Sequence, residues 1–264
     1  MNAQVQAGAP ATPAARPVVR SISVDDVYKS VGEGWRDFKA APRYGMFFGA
    51  VYALGGMAIF ALLWLMDISG WILPLAAAFP LVGPFVAIGL YEVSRRLETG
   101  EPLGWPEVLG VVWRERERQM PSMAFVVLAG FMIWTWAAWL LGGVVLASAG
   151  HGAHFDLDVL FGTRAGITLL VAGTLVGGAI AFVLFAVTVV AIPMLMDRDV
   201  DYVTALVTSF RATTSNLVPM LTWAGVIAAT SAAAMVPFFL GLIVALPVLG
   251  HATWHIYRKV IEPQ

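Results

Sequence analysis

Gly83-Pro84-Phe85-Val86-Ala87-Ile88-Gly89-Leu90-Tyr91-Glu92-Val93-Ser94-Arg95-Arg96-Leu97-Glu98-Thr99-Gly100-Glu101 begins as an apolar helix and ends as a charged, glycine-terminated exit. No residue before Glu92 in this stretch carries a charge, whereas Glu92, Arg95, Arg96, Glu98 and Glu101 follow within ten positions. A helix that changes solvent partway along its length reads as one leaving a membrane, with its arginines on the cytoplasmic side.

The whole chain agrees with that reading. Of its 264 residues 59% are hydrophobic and 12% charged, with a mean hydropathy of +0.79. A soluble domain carries about a quarter charged residues, so this chain has too little charge to cover a water-facing surface. There is no cysteine, which excludes disulfides, thiolate metal sites and thiol nucleophiles. The net charge of -1 gives no reason to expect a nucleic-acid partner.

Upstream of the opening stretch, residues 1–20 are small, proline-containing and without a hydrophobic signal segment, and read as a disordered cytoplasmic tail. Ser23 and Asp26 have capping-box spacing. Val24, Val27, Tyr28, Val31, Trp35 and Phe38 then recur at helical spacing, which predicts an amphipathic helix lying on the membrane and ended by Pro42. Residues 44–66 are uncharged and long enough to cross about 30 Å of hydrocarbon. Gly45 and Gly49 give that span a small face for close packing. Asp67, Ser69 and Gly70 turn the chain, and residues 71–94, with Pro74, Pro80 and Pro84, return.

Downstream, Leu103, Trp105, Val108, Leu109 and Val112 predict a second amphipathic helix ending in the alternating charges Arg114 to Arg118, a solvated helix end. Spans are expected at 122–148, where Trp134, Trp136 and Trp139 anchor or pack, and at 165–196, with Gly173 and Gly177 as a second small pair. A polar loop over 149–164 joins them. Val203, Leu206, Val207 and Phe210 predict a third, short amphipathic helix. The apolar run that follows is too long for one span and divides near Ala233–Pro237. Fifteen of the sixteen lysines and arginines fall in the N-terminal segment, the loops 95–118 and 198–211, and the C-terminus; only Arg164 does not. Both termini are therefore expected in the cytoplasm, around six spans.

An internal repeat emerges from these elements. Each unit reads amphipathic helix, aromatic–Arg pair, proline, span, hairpin, proline-containing span. The pairs are Trp35-Arg36, Trp113-Arg114 and Phe210-Arg211, and Pro42, Pro121 and Pro219 follow them by seven, eight and nine residues. Four residues beyond Pro84, Pro193 and Pro247 stand Ile88, Asp197 and His251; eight beyond stand Glu92, Asp201 and His255. The expected fold is thus all-α: a polytopic bundle of six transmembrane helices in three hairpin units, about 23–98, 103–201 and 199–260, within one membrane domain spanning 21–264. Three parallel units suggest a shared interface. There Glu92, Asp197, Asp201, His251 and His255 would form a cytoplasmic polar cluster, with Arg36, Arg114 and Arg211 as ion-pair partners.

Gly83-Pro84 through Gly100-Glu101, Asp199-Val200-Asp201 with Ala205-Leu206, and Leu249-Gly250-His251-Ala252-Thr253-Trp254-His255-Ile256-Tyr257-Arg258 resemble an uncharacterised bacterial inner-membrane family, a domain of unknown function whose members are named predicted integral membrane proteins. The resemblance runs over about residues 20–260 and implies a six-span inner-membrane protein without established activity. Some members carry the transferred label cytochrome c oxidase subunit I. Four histidines, two in a loop and two at a helix end, do not supply that chemistry.

His251 and His255, four apart, share one helix face. With Asp197, Asp201 and Glu92 they are candidates for a metal site, or else interfacial side chains hydrogen-bonded to carboxylates or carbonyls. His151, His154, Asp156 and Asp158 read as an ordinary polar loop or an outer divalent-ion site. Ser209 and Ser231 have no histidine at a suggestive spacing for a nucleophile. No carboxylate lies mid-span, which weighs against an ion pump. The residues therefore predict no catalytic site and no cofactor. The leading expectation is a non-enzymatic scaffold, assembly or regulatory factor for a membrane complex in the lipid bilayer. A transporter or lipid-handling protein with a site between repeats is the alternative, and a metal- or haem-associated respiratory component comes third.

Overall fold

A computed structural model describes residues 17–65, 83–115, 120–150 and 157–263. The expected turn at Asp67–Gly70, the first half of the second span, the charge run at 116–118, and His151, His154 and Asp156 lie outside them. Among the described residues eleven helices follow in order: α1 (Val24–Ala40), α2 (Pro42–Leu65), α3 (Gly83–Thr99), α4 (Trp105–Glu115), α5 (Met120–Ser148), α6 (Leu157–Gly162), α7 (Arg164–Thr188), α8 (Ala191–Asp197), α9 (Tyr202–Ser215), α10 (Leu217–Met235) and α11 (Leu242–Val260). Among the described residues there is no strand, only one antiparallel bridge between Val19 and Ile261.

Local chemistry sets these boundaries. Ser23 Oγ accepts from Asp26 N while the Asp26 carboxylate accepts from Ser23 N at 2.9 Å, closing the capping box that starts α1. These bonds hold the Asp26 carboxyl below its usual range. Pro42 separates α1 from α2, having no N–H to continue the first helix. The break near Ala233–Pro237 falls at 236–241, where Phe238 and Phe239 take positive φ. The expected outer loop contains the short helix α6, because Leu160 finds cover against Leu146 and Leu169. Val18 and Arg20, at the end of the expected tail, are tied to the C-terminus: Arg20 N donates to Val260 O and Glu262 N to Val18 O. Asn216 fastens the same segment, donating to Arg20 O and accepting from Ile22 N. Backbone pairing of this kind leaves no hydrophobic pattern to read.

Among the described residues, four helical segments are long and apolar enough to cross a membrane: Pro42–Leu62, Pro121–Ser148, Arg164–Asp197 and Leu217–Met235. Their outer faces are bare hydrocarbon. Leu54, Trp64, Phe125, Trp139 and Leu175 are all at least 64% exposed, which a water-soluble protein would not tolerate over so large an area. α11 is different. It lies at the centre, against α1, α2, α3 and α10. Its Leu249, His251, Ala252, Trp254, Ile256 and Tyr257 are buried by protein. Gly45 and Gly49 of α2 seat it, as the small-residue spacing predicts: Gly49 lies against the Ile243 backbone and Gly45 against Phe38 and Pro247. In the second pair, Gly177 sits under the Trp134 ring while a Cβ at Gly173 would point into open space.

α7 and α8 are one apolar segment broken at Val189–Val190. Pro193 has no N–H to give the Val189 carbonyl, and its ring crowds that carbonyl. Ser209 of α9 repairs the ladder, donating to Ala186 O at 2.8 Å and accepting from Val190 N at 3.1 Å. An inserted side chain is a recognised cause of a helix kink. Ser209 is fully buried and structural, with no histidine bonded to it among the described residues. Ser209→Ala strands a buried N–H, so it should cost about 1–3 kcal/mol, read as a lowered unfolding midpoint in detergent. Ser209→Thr, which keeps the hydroxyl, should lose less.

The three amphipathic helices pack in a regular way. α1 lies on α11, α4 on α3, and α9 on α7 and α8. Each amphipathic helix after the first therefore rests on the helix or helices just before it in the chain, and α1 rests on the last.

Candidate functional site

The end of α3 is organised around Glu92, which is 2% exposed. Arg95 lies three residues on and Arg96 four, so both share its face. Arg95 grips the carboxylate with Nε at 2.8 Å and a second nitrogen at 3.0 Å, and Arg96 Nε donates at 2.6 Å. Gly100 takes φ +70°, the left-handed conformation that lets the chain turn back at a helix end. That turn brings Glu101 to Arg95 at 2.8 Å and the Pro102 carbonyl to Arg96 at 2.7 Å. The Arg95 guanidinium in turn holds the Glu101 carboxyl below its usual range. The opening stretch thus folds its charges onto one another.

A second polar chain joins α1, α3 and α11. Ser94 Oγ donates to Asp37 Oδ2 at 2.7 Å, and His255 Nε2 meets the same oxygen at 2.8 Å. Burial pushes the Asp37 carboxyl up. The hydrogen bonds from His255 and Ser94, with the nearby histidine charges, outweigh it and hold the group below its ordinary value. Ser94 Oγ also lies 2.8 Å from His251 Nδ1. A serine has one proton, and Asp37 takes it, so His251 Nδ1 must be the donor to Ser94. His251 Nε2 is fully buried and without a hydrogen-bond partner among the described residues. Toward the surface, Lys259 binds Glu33 and reaches Ser30 Oγ at 2.9 Å.

The same end of α11 reaches α8 and α3. Tyr257 donates to Asp197 at 2.5 Å and accepts from Arg198 Nε at 3.1 Å. Trp254 Nε1 donates to Glu98 at 3.0 Å, and Arg258 pairs with Glu98 at 3.0 Å and with Asp197 at 3.5 Å. One face of α11 carries His251, Trp254, His255 and Arg258, at spacings of three and four. That spacing lets a single helix hold α1, α3 and α8 together.

Of the residues expected to cluster, Asp197, His251 and His255 meet this layer through α11, while Glu92 closes on its own helix. His251 and His255 do not converge on a shared ion; both reach the Ser94–Asp37 unit. Among the described residues no three histidine or carboxylate side chains are placed to hold a metal. Asp201 caps α9 from an exposed position, accepting from Thr204 N and Oγ1. Those bonds hold its carboxyl below the usual range. Arg36 is 72% exposed and 3.9 Å from Glu33, and Arg114 and Arg211 are exposed. The cations that face the layer are instead Arg95, Arg96, Arg198, Arg258 and Lys259. Asp37, Ser94 and Glu33 were not legible as members. A signal for Asp37 exists all the same: Val27, Ser30, Gly34 and Asp37 recur by three and four, and the first three line the buried stripe of α1.

Asp37 gives this layer a pH dependence. A carboxyl held low in the folded state stabilises it above the unfolded value of about 3.9 and loses that contribution as pH falls through the folded value. Hydrogen exchange of α1 should therefore stay slow at pH 5 and above and quicken in stronger acid. Asp37→Asn should already exchange quickly at pH 6.

Among the described residues, four membrane-length apolar helices mark a multi-pass α-helical membrane protein. Residues 72–197 match the model of a family described as predicted integral membrane protein (DUF2189), a domain of unknown function. It is the uncharacterised membrane family that the sequence resembles. No curated protein and no solved structure matches the chain.

Proposed function

We propose that the protein is a non-enzymatic scaffold, assembly or regulatory factor of the bacterial inner membrane, with six spans in three hairpin units and both termini in the cytoplasm. One observation carries this reading. The carboxylates at the candidate site are already engaged within the chain: Glu92 by Arg95 and Arg96, Asp37 by Ser94 and His255, Asp197 by Tyr257 and Arg258. Side chains bound to one another in this way hold helices in place; they do not offer free ligands to a solute. The packing of each later amphipathic helix on the helix or helices just before it, and of α1 on the last, supports the threefold arrangement, and the lysine and arginine bias supports the orientation.

Extraction of the tagged chain in mild detergent should retain a stoichiometric membrane-protein partner. Saturable uptake of a solute by liposomes holding the purified chain alone would overturn the reading. Lipid handling is the second reading. It is favoured by an apolar cavity of about 410 Å³ between α5 and α7, lined by Phe131, Trp134, Gly173, Gly177 and Leu184 among others.

A further inference from the structure

The three aromatic–arginine pairs do not face the polar layer. They point outward, each just ahead of a membrane-length helix. Trp35, Trp113 and Phe210 are 44%, 62% and 47% exposed, and Arg36, Arg114 and Arg211 are exposed beside them. Each helix that follows a pair presents bare apolar surface: Met46 and Phe47 of α2, Phe125 of α5, and Leu217 and Val218 of α10. An amphipathic ring beside a cation, at the point where a lipid-facing surface begins, is placed at the depth of phospholipid headgroups.

The α1–α2 corner gathers three cations. Arg36, Lys39 and Arg43 are all exposed there. The Lys39 ammonium lies 5.9 Å from the Trp35 ring centroid, and the Arg43 guanidinium 4.8 Å from that of Tyr44. Glu33, 3.9 Å from Arg36, is shared with Lys259. Lys39 and Arg43 both lie against a ring and stay exposed, with Arg43 also donating to Tyr44 Oη at 2.9 Å.

We propose that these corners bind the phosphate groups of anionic phospholipids in the membrane leaflet that the amphipathic helices face, most strongly at Arg36, Lys39 and Arg43. The guanidinium and ammonium groups take the phosphate oxygens while the rings lie among the upper acyl carbons. The inference rests on the membrane-spanning reading and not on the scaffold role. Solute uptake would remove the scaffold and leave the lipid preference standing.

The test uses the full chain, delipidated in detergent and mixed with dioleoylphosphatidylglycerol or dioleoylphosphatidylcholine, with retained lipids counted by native mass spectrometry. The unaltered chain should retain the anionic lipid preferentially. Arg36→Gln with Lys39→Gln and Arg43→Gln should weaken that preference by about fivefold for each cation removed. Arg36→Lys with Arg43→Lys should keep it. Equal retention of both lipids by the unaltered chain overturns the proposal, and that comparison stands even where the triple variant does not fold. So does undiminished phosphatidylglycerol binding by a folded triple variant. Loss of a copurifying protein with unchanged lipid retention would mark the corner as a protein dock and likewise overturn it.

Discussion

Glu92→Ala should lower the stability of the protein by about 3–5 kcal/mol, the usual cost of breaking a buried ion pair from one side. Glu92 is 2% exposed, and its two arginine partners have side-chain exposures of 25% for Arg95 and 12% for Arg96. The pair itself is no evidence of stability, since desolvating three charges offsets much of their attraction. Removing the anion is another matter. Two guanidinium groups then face each other across a protein-lined space, with Glu101, 39% exposed, as the remaining carboxylate. The end of α3 should fray, and with it the Gly100 turn that leads into α4. Glu92→Gln keeps the shape and one acceptor oxygen and should fall between the two. Thermal unfolding in detergent, followed by tryptophan fluorescence, orders the three proteins. An alanine variant as stable as its parent would show that the arginines reach water unaided.

The second large effect is expected at Gly34→Leu. This glycine is where α1 crosses α11. A Cβ added there would stand 2.6 Å from both Ala252 N and Val248 O. Those are backbone atoms of a buried helix, so they cannot swing aside as a side chain can, and α1 must lift. Overpacking alone costs about 1–3 kcal/mol. Here it also pulls Asp37 from His255 and Ser30 from Lys259, bonds that form only while α1 lies down. The cysteine-free sequence permits a direct readout. Val27 is fully buried, so a lone Val27→Cys thiol should react slowly with maleimide. Adding Gly34→Leu should speed the reaction about a hundredfold if local stability falls by about 3 kcal/mol. Gly34→Ala should be intermediate, since its methyl already meets the backbone. Unchanged labelling in both would mean that α1 is not seated by this contact.

These two sites differ in how much of them could be read beforehand. Glu92, Arg95 and Arg96 stand at helical spacing within one stretch, so their pairing is local and visible. Gly34 looked like any exposed glycine of an interfacial helix, because its partner lies more than two hundred residues away. The same contrast runs through the polar layer. His251 and His255 were recognisable as sharing one face of a helix. That they meet Ser94 and Asp37 depends on how α1, α3 and α11 cross. Ser209 drew notice only as a hydroxyl without a histidine, and its work on the Ala186–Val190 break needed α9 to be docked. Arg36, Arg114 and Arg211 were expected to turn inward because the repeat aligned them with the acids. They lie outside, since the acids are satisfied from nearer by.

The sequence by itself determined the solvent. Its hydropathy, its amphipathic segments and its lysine and arginine bias make a helical membrane protein, and the helix ends follow from Ser23, Pro42, Pro193 and Gly100 through bonds a few residues long. Tertiary structure alone decided which helix is central and which charges pair. Apolar surface is drawn to lipid and to protein alike, so hydrophobicity could not say that α11 is enclosed by its neighbours while α5 leaves most of its residues uncovered. For Gly83 to Glu101, the sequence marks where a helix leaves the hydrocarbon. The fold adds that its Ser94 turns toward Asp37 and His251, two helices it could not name.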